Sequence, residues 1–205
     1  ITSKPKHFLF THSLNADQKH LKRRGLDSFL IFSNLWYKID KSSTFTVLGG
    51  NPDTIKEEEK FDHVKFIPNY LNNNTYEKLL LKSDVLFLNS CDIHTNIILD
   101  CIKYHIKLVL RPHKEFMELG LNNENVYFFG NGNKNSALSL DPWLPLQKTF
   151  ILKECKRILN LLLTEDFSKR KKIKINQKFK DINEEIIEIT HLNYSLLKKI
   201  QNDNI

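Results

Sequence analysis

The residues best placed to do chemistry are Asp92 and Asp100, two carboxylates eight positions apart in the run DIHTNIILD. Asp92 falls in the polar loop Asn89–His94. Asp100 falls about one and a half turns into a helix that starts at Thr95. Asp92 can reach hydroxyls of a ligand resting on that helix N-terminus. Asp100 can take a ribose diol, because a carboxylate accepts hydrogen bonds from adjacent hydroxyls. Between them the amides of Thr95, Asn96 and Ile97 would meet a diphosphate, since first-turn N–H groups lack intrahelical partners and carry the positive end of the helix dipole. The same spacing suits a loop acid followed by a surface helix acid equally well.

Two further loops could approach a ligand. Thr11–Arg24 is long and ends in Lys22-Arg23-Arg24-Gly25. Gly49-Gly50 closes an apolar run, where missing side chains let a ligand near the backbone. A lone Gly-Gly more often simply turns the chain. No Gly-x-Gly-x-x-Gly and no phosphate loop with Lys-Ser or Lys-Thr is present, which disfavours a dinucleotide site or a nucleoside triphosphatase.

The elements that must position these residues alternate between strand and helix. Short apolar runs at His7–Thr11, Thr44–Leu48, Val64–Ile67, Val85–Leu88, Ile106–Leu110 and Val126–Phe129 read as strands. Helical spacing covers Leu26–Ile39, Thr75–Lys82 behind the capping run Asn72–Asn74, Thr95–Tyr104 and a short stretch His113–Leu119. Such alternation predicts an α/β fold, a doubly wound Rossmann-like parallel sheet of about six strands with helices on both faces. The spacing also predicts C-terminal helices over Phe150–Leu163 and Lys180–Gln201, beyond a proline-bearing connection at Ser136–Pro145. The expected division is a sheet domain over 1–135 and a helical extension over 136–205.

Composition bounds the rest. The 205 residues are 40% hydrophobic and 27% charged, which suits a globular domain. No apolar run approaches the ~18 residues of a membrane span. Three irregularly spaced cysteines and eight scattered histidines give no ligand pattern, so no metal site is expected and a reducing, cytoplasmic setting is. Net charge is +7, with much of the excess in Lys169–Lys180. That run reads as a solvated basic stretch or as a peripheral contact with an anionic inner membrane face. Nucleic acid is not expected, because no set of stacking aromatics interleaves with the basic residues. The chain starts at Ile1 rather than Met, which suggests a piece of a longer protein.

Five blocks in order carry a resemblance. They are Arg24-Gly25-Leu26-Asp27 at a helix start; Thr44–Gly50 as a strand ending in glycine; Val64-Lys65-Phe66-Ile67-Pro68; Lys78–Ser90 (KLLLKSDVLFLNS); and Asp92 with Asp100. Together the stretch from His7 to about Phe129 resembles the C-terminal, nucleotide-sugar-binding domain of GT-B glycosyltransferases of the glycosyltransferase group 1, glycogen-synthase-like family. There the last block is Glu-x7-Glu. Both acids are shorter here, and Ile93-His94-Thr95 stands where the family has Gly-Phe-Gly.

The resemblance implies transfer of a sugar from a UDP- or GDP-sugar to a glycan, lipid or protein acceptor, with no cofactor. It implies Arg24 on the donor diphosphate, Asp92 on the sugar hydroxyls, Asp100 on the ribose, and the backbone at Ile67-Pro68 on the base. His12 stands nearest the family's second basic residue after the first strand. The resemblance also implies a separate N-terminal GT-B domain for the acceptor, so this chain alone is expected to transfer little sugar. Two other readings stay open: a catalytically inactive GT-B-like binding or assembly subunit, and a nucleotide-sugar epimerase.

Overall fold

The computed structural model describes residues 3–11, 24–49, 61–67, 71–90, 95–122, 126–132 and 146–175. The strands are β1 (His7–Thr11), β2 (Thr44–Leu48), β3 (Val64–Ile67), β4 (Val85–Leu88), β5 (Lys107–Leu110) and β6 (Tyr127–Phe128). All pairings among them are parallel, and their order is β3-β2-β1-β4-β5-β6. Parallel strands need crossovers, which α1 (Leu26–Tyr37), α2 (Asn73–Lys82), α3 (Thr95–Lys103) and α4 (Lys114–Glu118) provide. A helix α5 (Lys148–Thr164) follows, and a 3-10 turn spans Phe129–Gly132. The doubly wound Rossmann-like sheet expected from the sequence is the observed one.

Burial explains why these short runs become strands. All four residues of β4 are buried, as befits a central strand covered on both faces. β2 alternates instead, with Phe45 and Val47 buried and Thr44 exposed, because it lies next to the edge. On one face of the sheet α1 lays Phe29, Phe32 and Trp36 against Phe8, Phe10, Phe45 and Phe87. Phe8 and Phe45 stack at 5.0 Å between centroids. Trp36 is fully buried, and its indole N–H donates to Ser43 Oγ at 2.9 Å, so the one polar atom of that ring is satisfied.

Helix boundaries follow local chemistry. Asn72 caps α2, its side-chain oxygen accepting from the Thr75 amide at 2.9 Å. α3 ends in a turn where His105 takes φ 56°, Ile106 N–H donates to Cys101 O and His105 N–H to Ile102 O. The residue that reverses this helix end is therefore a histidine in a conformation glycine usually supplies. α5 buries Ile151, Cys155, Ile158, Leu159 and Leu162, and packs on α1. Residues 166–175 then run as an irregular strap in which Phe167 N–H donates to Ser3 O at 2.8 Å. The helix expected over Lys180–Gln201 lies outside the described residues.

Candidate functional site

The strand order fixes where a ligand crevice forms. From β1 the chain winds one way through α1 to β2, and from β4 the other way through α3 to β5. In open parallel sheets such a reversal, beyond the carboxyl ends of the two strands, is the usual place for a ligand. The chain enters the N-termini of α1 and α3 from that end of the sheet.

Gly25 brings the first of these ends into place. It caps α1 at φ 83°, with no side-chain hydrogen bond at the cap. A Cβ added to Gly25 would lie 2.4 Å from the Asn89 carbonyl oxygen and 2.7 Å from its carbon. The α1 N-terminus thus sits directly on the exit of β4, and Arg24, the preceding residue, is held beside that exit. Arg24 is partly exposed, and its Nε is buried. The contact is secured from below, where the buried Asn89 amide donates from Nδ2 to Ser28 Oγ at 2.9 Å. Asn89 Oδ1 is buried with no hydrogen-bond partner among the described residues.

The other strand exits add polar groups that sequence reasoning missed. Arg111, directly after β5, is 2% exposed, and Ser90 is buried as well. The buried His113 ring donates from Nε2 to Ser90 O at 2.9 Å and meets the Phe116 ring edge-on at 5.3 Å. Four buried polar residues (Asn89, Ser90, Arg111 and His113) therefore crowd the ends of β4 and β5. A buried polar group costs free energy unless satisfied, and hydrogen bonds such as Asn89 to Ser28 and His113 to Ser90 offset that cost here. The available signal was a cation and a proline directly following the all-apolar run Leu108–Leu110.

Besides Arg24, the expected site residues separate into four groups. Thr95, Asn96 and Ile97 form the first turn of α3, where Asn96 is exposed and the Ile97 side chain is buried. Gly49 follows β2 at φ 86°, its N–H donating to Ile67 O at 2.9 Å, so its role in the fold is to tie the ends of β2 and β3. Asp100 is partly buried on α3, and its Oδ2 accepts the Tyr76 hydroxyl of α2 at 2.9 Å. Burial, reinforced by the Asp100 hydrogen bond and charge, pushes the Tyr76 phenol well above its ordinary value, so it stays a donor. Asp92, Gly50, Pro68 and His12 lie outside the described residues. Among the described residues no three His, Cys, Asp or Glu side chains gather as a metal site, and no helix is long and apolar enough to cross a membrane.

No protein-family profile matches the sequence. An uncharacterised protein of Rickettsia prowazekii (strain Madrid E) is 28% identical over 185 residues, covering 88% of this chain and 30% of that protein. The chain thus spans about a third of the length of that relative. A chain of the GtfA/B complex superposes with TM-score 0.55 at 11% identity, over 90% of this chain and 33% of that one. The C-terminal domain of a glycosyl transferase group 1 family protein (LpcC) of Francisella tularensis gives TM-score 0.49 at 14% identity, over 79% of this chain and 87% of that domain. The chain shares its Rossmann-like α/β fold with part of the GtfA/B chain.

Proposed function

We propose that this chain is the donor-binding half of a glycosyltransferase, holding a nucleoside diphosphate sugar in the crevice between the α1 and α3 N-termini. The observation that carries this reading is the contact of Gly25 with the Asn89 carbonyl, which sets Arg24 at the exit of the strand that feeds α3. On this reading the Arg24 guanidinium and the first-turn amides of α3 address one diphosphate, the charge arrangement it needs both when bound and when leaving. Asp100 accepts the ribose hydroxyls and Asp92 the hydroxyls of the transferred sugar. The bond broken joins the anomeric carbon to the diphosphate, whose growing negative charge Arg24 and the Thr95–Ile97 amides stabilise.

The acceptor, a glycan, lipid or protein, is held by an N-terminal GT-B domain, so the 205-residue chain alone binds nucleotide and transfers little sugar. The basic run from Lys169 meets the sheet at its other pole: Arg170 bonds carbonyls at the C-terminal ends of α2 and α3. An anionic surface touching that run would face away from the donor crevice.

Calorimetric titration of the chain with UDP and GDP tests the reading. One of the two is expected to give saturable heat that weakens about tenfold or more in Arg24→Ala, a loss typical of a charge-assisted phosphate contact. Absence of binding by both nucleotides at millimolar concentration, or an Arg24→Ala variant that binds as well as the parent, overturns it in favour of an assembly subunit.

A further inference from the structure

We infer that Tyr76 is a positioning residue for nucleotide recognition, aiming the Asp100 carboxylate at the ribose diol; this rests on the donor-site reading above. Tyr76 stands in the first turn of α2, and Asp100 in the second turn of α3, so their bond of 2.9 Å spans two helices. Among the described residues it is the side-chain hydrogen bond that Asp100 accepts.

An ionised carboxylate has about four lone-pair sites, and the phenol occupies one, on Oδ2. The remaining sites suffice for two neighbouring hydroxyls, and Asp100 is exposed enough to be reached. A short aspartate stem has few rotamers, and the bond to Tyr76 selects among them before any ligand arrives. Pre-orientation of this kind strengthens the contact with a diol more than with a ligand lacking it.

A purely architectural role is a poor account of this bond, because the same two helices are already fastened twice. Tyr104 O–H donates to Glu77 Oε1 at 2.5 Å, also joining α3 to α2. At the opposite ends of the helices the Arg170 guanidinium donates to Leu81 O and Ser83 O beside α2, and to Tyr104 O beside α3. The Tyr76 bond differs from both in ending on a side chain of α3 itself, in the turn that follows the helix N-terminus assigned to the diphosphate.

The experiment compares the affinity of the whole chain for UDP with that for 2′,3′-dideoxy-UDP (or the guanosine pair, if GDP is the nucleotide that binds). The parent is expected to prefer the ribonucleotide by about tenfold or more, the worth of a hydrogen-bonded charged group. Tyr76→Phe keeps the ring and is expected to cut that preference at least threefold, with little change in affinity for the dideoxy compound. Tyr104→Phe, which breaks the sister bond, is expected to lower the melting temperature and leave the preference intact. In an Asp100→Asn background, Tyr76→Phe is expected to change nothing further. A preference unchanged in Tyr76→Phe, or reduced equally in Tyr104→Phe, overturns the inference while the donor site stands. Failure of the parent to bind either nucleotide removes the donor site and this inference together.

Discussion

The backbone of Gly25 lies so close to the carbonyl of Asn89 that the space for a side chain does not exist: a methyl group there would approach the oxygen to 2.4 Å. Both partners in this contact are rigid. Asn89 directly follows a fully buried central strand, and Gly25 opens a helix whose Phe29, Phe32 and Trp36 are packed into the aromatic core.

Gly25→Ala is therefore expected to be costly twice over, through the clash and through the left-handed φ of 83°. We expect a loss of roughly 2–3 kcal/mol in unfolding free energy, the sum of an overpacking cost and a backbone cost. The check is the urea midpoint at constant m-value. A variant as stable as the parent would mean that α1 can lift from Asn89, and that Arg24 is not held where described.

The strap after α5 makes a second prediction. Arg170 caps carbonyls at the ends of α2 and α3 from a sequence position far from either. Arg170→Ala is expected to destabilise by roughly 1–2 kcal/mol, less than a buried loss because water can reach the freed carbonyls. Hydrogen exchange should speed up at the C-terminal ends of α2 and α3 and stay unchanged in β1 and β4.

Acidity should weaken the fold in two steps. His7 and His63 both have pKa values below the ordinary 6.5, in each case chiefly through burial. Asp84 partly opposes this at His7, where Lys82 and Lys6 add to it; Asp62 and the Ser33 contact oppose it at His63. Because the unfolded chain takes up these protons more readily, the associated stability is complete above about pH 6.5 and is lost as pH falls through the folded values. Melting temperature should therefore drop between pH 7.5 and 5.5. The drop should be shallower in His7→Asn and His63→Gln, and an equal slope in both variants would show that other groups drive it.

Glu165 sets the second step. Burial alone would raise its carboxyl, but hydrogen bonds from Tyr127 (2.5 Å) and Lys107 (3.0 Å), with the charges of Lys107 and Lys171, outweigh this and hold it below the ordinary value of 4.5. Stability from this cluster is complete above about pH 4.5 and is lost as pH falls through the lowered value. Glu165→Gln is expected to remove that acid limb of the stability profile and to cost stability at pH 7, because Lys107 is left largely buried without its anion.

Much of the fold was legible because its elements are written locally. Runs such as VLFL and HFLFT, bounded by polar or breaking residues, have one sensible burial, and the strands expected over His7–Thr11, Thr44–Leu48, Val64–Ile67 and Val85–Leu88 match residue for residue. Boundaries shifted where two local signals compete. The strand expected to Phe129 stops at Phe128, where Gly130 at φ 64° bends the chain into a 3-10 turn. Tyr76 gave no signal of its own, since its spacing to Leu79 and Leu80 reads as an ordinary apolar stripe.

The amino-acid order by itself determined the alternation of strands and helices and the polar character of the loops leaving β1 and β4, because burial periodicity and turn chemistry act within a few residues. Only the tertiary structure decided that Gly25 rests on Asn89, that Arg111 is buried beside Ser90 and His113, and that Asp100 meets Tyr76. Those meetings depend on which strands pair and on how the helices settle over them. That choice is made by the packing of the whole core, and no local stretch of sequence encodes it.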